Sequence, residues 1–255
     1  MMNLLFIGDV VGSAGCQFVQ DNLYRIKKDY NIDITVINGE NSAQGNGITK
    51  HSADQLFAAG ADIITTGNHC FKRREALSIY DHDFIIRPAN YPDGCVGRGV
   101  CRLALGRTQI AIVNLSGTTY LDPLDNPFTC IEIILEDMDT PKIFVDFHGE
   151  ATAEKKAMGH FLTGKVTAVL GTHTHVQTAD EMILGGHTGY ITDAGMTGPE
   201  RSVLGVEIEP ALSRFRFRFP TRFAEAQSPC FLNGVVVSFD EKSGKCVNIE
   251  RLIMR

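Results

Sequence analysis

KIFVDFHGEATAEKKAMGHFLTGKVTAVLGTHTH, residues 142–175, reads as strand, helix, strand, and each strand ends on histidine. The apolar, β-branched runs are four to five residues long. Between them, Thr152 is a plausible N-cap for AEKKAMGHFL. The same construction recurs on both sides: LLFIGD (4–9), ITVINGEN (34–41), DIITTGNH (62–69), IAIVNLSG (110–117) and YITDAG (190–195) each close on a small residue beside a polar or chelating one. Helix-patterned segments separate several of them. Residues 13–30 place Val19, Leu23, Ile26 and Tyr30 at helical spacing after a Ser13 start. Ser52 with Gln55, and Thr129 with Glu132, form two possible capping boxes, and Gly60 is a helix stop. FLNGVVVSF (231–239) and KCVNIERLIM (245–254) predict a C-terminal β-hairpin. Alternating strands and helices give an α/β fold with helices packed outside the sheet.

Composition sets the bounds. The 255 residues are 44% hydrophobic and 21% charged, which suits a globular chain and excludes disordered or collagenous classes. No linker or repeat interrupts them, so one domain over 1–255 is expected. A net charge of −6 argues against an extended nucleic-acid surface. Seven Cys without a CxxC pair fit neither a disulfide framework nor a zinc knuckle, and point to a reducing, cytoplasmic setting. The N-terminus reads as a strand rather than a leader, and no run of 18 apolar residues predicts a membrane span.

Open α/β sheets bind ligands at the carboxyl ends of their strands. There the pattern gathers Asp9, Glu40, Asn41, Asn68, His69, His148, His173 and His175, a set of oxygen and nitrogen donors without thiolate. Such donors suit iron, manganese, zinc or cobalt. In extended backbone the two His of THTH project to one side.

In order along the chain, IGDVVG, NGEN, GNHC, DFHGE and GTHTHV resemble the signature of the calcineurin-like metallophosphoesterase superfamily. FIGDVVG, INGENSAQGNG, RPANYP, NPF, VDFHGEAT, GTHTHVQTAD and ITDAGMTGP are similar to its YmdB-like branch, over nearly the whole chain. The resemblance implies a four-layer α/β/β/α sandwich with a dinuclear metal site at the carboxyl ends of the strands. It assigns Asp9, Glu40, Asn41 and His175 to the first metal, and Glu40, Asn68, His148 and His173 to the second. Val11 stands where the wider superfamily has a ligand His, and in this branch Asn41 replaces it. The donor set and the resemblance together imply iron or manganese, with zinc as the alternative.

The implied activity is hydrolysis of small phosphodiesters, cyclic nucleotides foremost, by attack of a hydroxide bridging the metals, with His69 as general acid. Two divalent cations bring +4 against about −2 from Asp9 and Glu40, so the site is positive within an acidic chain. A phosphomonoesterase, or a nucleotide- or RNA-sensing protein with weak hydrolysis, are the alternatives. Arg87 and Asn90 are substrate-loop candidates, with a Pro-stiffened structural loop as the competing reading. RFRFRF (214–219), if extended, aligns Arg214, Arg216 and Arg218 as a solvated face or a subunit contact in a homo-oligomer. Glu150 either orients a ligand or caps the following helix. Cys70 is a packing residue or an oxidation-sensitive thiol.

Overall fold

The computed structural model describes residues 1–106 and 108–255. In chain order the elements are β1 (Met2–Ile7), β2 (Asp9–Val10), α1 (Gly12–Asp29), β3 (Ile34–Asn38), α2 (Lys50–Ala59), β4 (Ile63–Thr65), β5 (Val100–Leu105), β6 (Thr108–Ser116) and α3 (Pro127–Glu136). There follow β7 (Ile143–His148), α4 (Thr152–Phe161), β8 (Ala168–Thr172), β9 (Met182–Leu184), β10 (Thr188–Ile191), β11 (Met196–Pro199), α5 (Ile208–Phe217), β12 (Cys230–Phe239) and β13 (Cys246–Met254). Each of the seven apolar runs overlaps a strand, though β10 ends two residues into the 190–195 run, and residues 231–254 form the expected hairpin.

Two mixed sheets result. One runs β2-β11-β12-β1-β3-β4, with β13 also paired to β12; the other runs β5-β6-β7-β8-β10-β9. Three apolar clusters show how they are covered. Leu4, Phe6, Ile34 and Val36 of the first sheet meet Ile110, Ile112, Phe144 and Leu170 of the second. The opposite face of the first sheet packs against Val19, Leu23 and Ile26 of α1 and Leu56 of α2. The opposite face of the second packs against Ile131 of α3 and Met158 of α4. Val19, Leu23 and Ile26 are fully buried, and each such side chain contributes about 1.5 to 3 kcal/mol. The parallel triplets β1-β3-β4 and β6-β7-β8 place their carboxyl ends at one edge of the two sheets.

Several local expectations are corrected. α1 begins at Gly12, not Ser13, and its cap residue Val11 makes no side-chain bond. Instead the Glu225 carboxylate accepts from Ala14 N at 2.9 Å, a negative charge where the helix dipole favours one. The capping box of α2 is Thr49 with Ser52, one turn earlier than the Ser52/Gln55 pair. Gly60 does end that helix, at φ 113°. Asn126 caps α3 ahead of Pro127, displacing Thr129/Glu132. Thr152 is the first residue of α4 rather than its cap. RFRFRF is not extended: Arg214 through Phe217 complete α5, and Arg218 closes it in the left-handed region. A period of two favours a strand only when one side is buried, and Phe215, Phe217 and Phe219 are 67%, 49% and 60% exposed.

Candidate metal centre

Asp9 follows β1, Glu40 and Asn41 follow β3, and Asn68 and His69 follow β4; His148 ends β7, and His173 and His175 follow β8. All eight meet in one network. Glu40 is at its middle and fully buried. Its Oε1 lies 3.2 Å from His148 Nε2, 3.1 Å from His69 Nδ1 and 3.0 Å from Asn41 Nδ2. Its Oε2 accepts from His69 N at 3.1 Å. His148 Nε2 is also 2.9 Å from Asn68 Oδ1 and 3.0 Å from His173 Nδ1. Asn41 Nδ2 reaches His175 Nε2 at 3.2 Å, and Asp9 Oδ2 accepts from His173 N at 3.1 Å.

The two THTH histidines converge for a different reason from the one expected. β8 ends at Thr172, and His173 and His175 take φ values of 101° and 64°, so they lie in a turn rather than on an extended strand. Left-handed backbone is costly for residues with a Cβ and is sustained only where the surroundings enforce it. Asp193 enforces it here: its Oδ2 accepts from Thr174 N at 3.0 Å and Thr174 Oγ1 at 2.8 Å, between the two histidines. Lys155 Nζ neutralises that carboxylate at 2.6 Å, with both side chains essentially fully buried. Gly67 is also a steric requirement, since a Cβ there would stand 2.3 Å from both Glu40 Oε2 and the His148 ring.

A second buried carboxylate orients His148. Its Nδ1 is 2.9 Å from Thr172 Oγ1, which donates to Asp146 Oδ1 at 2.7 Å. Because the Thr172 hydroxyl proton goes to Asp146, His148 Nδ1 is a donor and Nε2 faces Glu40. Burial raises Asp146 to about 6, against the hydrogen bonds it receives from Thr65, Thr172 and Asn38. Lys155, Asp193, Asp146 and Thr172 were not anticipated as parts of the site. One signal was available: helical spacing from Met158 and Leu162 puts Lys155 on the buried face of α4.

The electrostatics are those of a site built around positive charge. Burial works against ionisation of Glu40, but the charges and hydrogen bonds of His148 and His69 hold it well below the usual carboxylate range. Asp9 is likewise lowered, with burial outweighed by His175 and His148. His148 is pushed up to about 9: burial opposes its charge, and Glu40 overcomes it. His173 is lowered by burial and by His148 beside it.

The side chains fit a bound cation. The Glu40, His148 and His173 donor atoms lie within 4.8 Å of one another, and Asp9 Oδ1 is buried without a hydrogen-bond partner. Buried acceptors are ordinarily satisfied, so this oxygen has the character of a ligand atom. His173 Nε2 sits 2.9 Å from Glu150 Oε2, which favours the orienting role for Glu150 over the capping one.

Arg87 and Asn90 anchor the loop that carries them, as the competing structural reading has it. The Arg87 guanidinium donates to the carbonyls of Pro88, Cys95, Val96 and Gly97. Asn90 bonds Ser116 N, Ser116 O and Asp125 O, and is 1% exposed. Cys70 is buried, and burial raises its thiol to about 12, the environment of a packing residue.

A Bacillus subtilis (strain 168) protein named 2′,3′-cyclic-nucleotide 2′-phosphodiesterase is 45% identical over 256 residues, spanning 99% of this chain and 97% of its own. The crystal structure of a novel phosphatase from Mycoplasma pneumoniae superposes with a TM-score of 0.95 at 32% identity, covering 99% of this chain and 93% of that one. The calcineurin-like phosphoesterase YfkN from Bacillus subtilis matches at TM-score 0.64 and 12% identity, over 99% of this chain and 90% of that one, a likeness of fold alone. The family profile of YmdB-like proteins matches residues 5–252, and with these relatives it shows that the chain belongs to the YmdB-like family.

Proposed function

We propose that residues 1–255 act as one four-layer α/β/β/α metallophosphoesterase domain that hydrolyses 2′,3′-cyclic nucleotides. The observation that carries this reading is the convergence of eight donor side chains from five strand ends around Glu40, in a chain 45% identical to a protein named for that reaction. Asp9, Glu40, Asn41 and His175 would hold one metal ion, and Glu40, Asn68, His148 and His173 a second, with iron or manganese preferred and zinc the alternative. Bound there, the ions supply charge neutralisation for the phosphodiester and activation of water.

The remaining work falls to the chain itself. Asn41 Oδ1 at 3.0 Å and Glu40 Oε1 at 3.1 Å both accept at His69 Nδ1, which fixes the proton there. Nε2 is then the nitrogen that takes up the second proton, and in the imidazolium form it presents that proton to the substrate. As water adds to phosphorus and the P–O2′ bond breaks, that proton passes to O2′ and leaves a 3′-nucleotide. His69 is partly exposed whereas Glu40 is buried, as expected if the first meets substrate and the second holds metal.

The test is metal analysis of anaerobically purified protein, paired with turnover of 2′,3′-cyclic AMP and 3′-AMP by wild type, His69→Ala and Asp9→Asn. About two metal ions per chain are expected. Diester hydrolysis should fall by about 10²- to 10⁴-fold in His69→Ala with metal retained. Less than about one ion per chain, together with unchanged turnover in both variants, refutes the proposal. Preference for 3′-AMP would make the enzyme a phosphomonoesterase.

A further inference from the structure

A cleft of about 610 Å³ opens beside Asn41, whose side chain also meets Glu40, His69 and His175. That volume lies within the range of small-molecule sites. The loop 43–46 forms one wall. Gly45, Asn46 and Gly47 run through the left-handed region, and the Arg73 guanidinium holds the loop by the carbonyls of Gln44 and Asn46. The segment 222–225 forms the other wall. It is tied down by Glu225 to Ala14 N at 2.9 Å, by Glu207 N to Ala224 O at 3.0 Å, and by Ala226 N to Gly205 O at 3.0 Å. Between these anchors Phe223 lines the cleft and is 47% exposed.

An exposed phenyl ring on a braced segment, lining the same cleft as Asn41 of the Glu40 cluster, is suited to a flat heteroaromatic ring. Every nucleobase offers such a face, and the exposed amides of Gln44 and Asn46 across the cleft match its donor and acceptor edge. We propose that the cleft between 43–46 and 222–225 receives the nucleobase, with Phe223 stacked on it, and sets the preference for nucleotides over base-free phosphodiesters. This rests on the phosphodiesterase reading above, which places the phosphate at the Glu40 cluster.

The experiment compares wild type, Phe223→Ala and Phe223→Tyr on 2′,3′-cyclic AMP and on methyl riboside 2′,3′-cyclic phosphate, which keeps the ribose and cyclic phosphate but lacks a base. Calorimetric binding of 3′-AMP is measured on the same proteins. Phe223→Ala should lower the nucleotide-to-riboside ratio of kcat/KM about tenfold, chiefly through KM, and weaken 3′-AMP by a similar factor. Phe223→Tyr should retain both. An unchanged ratio with unchanged 3′-AMP binding overturns the cleft assignment. If wild type hydrolyses neither substrate but 3′-AMP binding still depends on Phe223, the cleft stands and the phosphodiesterase reading fails.

Discussion

Replacing Lys155 by Met should destabilise the protein by about 4 kcal/mol, because removing one partner of a buried ion pair costs about 3 to 5 kcal/mol. Lys155 is 1% exposed, and its Nζ lies 2.6 Å from Asp193, which is 0% exposed. Without the ammonium, Asp193 keeps hydrogen bonds from Thr174 and from Gly195 N but has no compensating charge. At about 3 °C per kcal/mol for a chain of this size, the midpoint should drop by about 12 °C. Lys155→Met/Asp193→Asn removes the stranded charge and should lose less than Lys155→Met alone. Thermal and urea unfolding followed by circular dichroism measures both, and metal titration should show a weakening of about tenfold in either variant as the turn between His173 and His175 loosens. A loss below about 1 kcal/mol in Lys155→Met, or a double variant that loses the sum of the two single changes, refutes the argument.

Gly67→Ala puts a methyl 2.3 Å from Glu40 Oε2 and the His148 ring, so manganese titration should show affinity reduced at least tenfold while far-UV circular dichroism is unchanged. Asp180 gives a pH signature. Its burial is outweighed by bonds from Thr192, Thr178 and Lys156, which lower it from 3.8 to about 2. The folded state therefore binds fewer protons than the unfolded one, and the stability present above pH 3.8 is lost as pH falls toward 2. Asp180→Asn should flatten that acid limb in unfolding curves taken across the same interval. Cys70 should escape thiol-specific reagents until the protein unfolds, and Cys70→Ser should match wild type in its survival of peroxide; labelling of native Cys70 would contradict the packing role.

The site was more legible than the local structure around it. Asp9, Glu40, Asn68 and His148 stand at strand ends that short apolar runs mark plainly, and the parallel triplets of the two facing sheets bring them together. Helix starts were less readable, because Thr49 and Asn126 compete with equally suitable neighbours and backbone geometry chooses among them. The end of α5 is hidden for a deeper reason. Alternation in RFRFRF carries no information without a buried side, and Phe215, Phe217 and Phe219 are all exposed. For Asn90 the sequence leaves substrate contact and loop anchor both open, because its partners on Ser116 and Asp125 lie 26 and 35 residues away and leave no trace in local sequence. The Lys155–Asp193 pair joins α4 to the turn after β10, and such a long-range partner cannot be assigned from spacing alone.

The pairing of β1 with β12 also constrains how the chain acquires its site. Met2 is opposite Phe239 and Ile7 opposite Gly234, whereas the second sheet uses only residues 100–191. On a ribosome the second sheet, with His148 and His173 at its edge, can form while β1 still lacks its antiparallel neighbour. At about 5 to 20 residues per second, that neighbour arrives on the order of tens of seconds after β1. Throughout this interval β1 carries an open edge, a template for wrong pairing with other chains. Asp9, two residues beyond β1, is therefore among the last of the proposed ligands to be fixed. Metal supplied after release should be captured by the finished protein, and nascent chains halted before residue 230 should bind it poorly and aggregate.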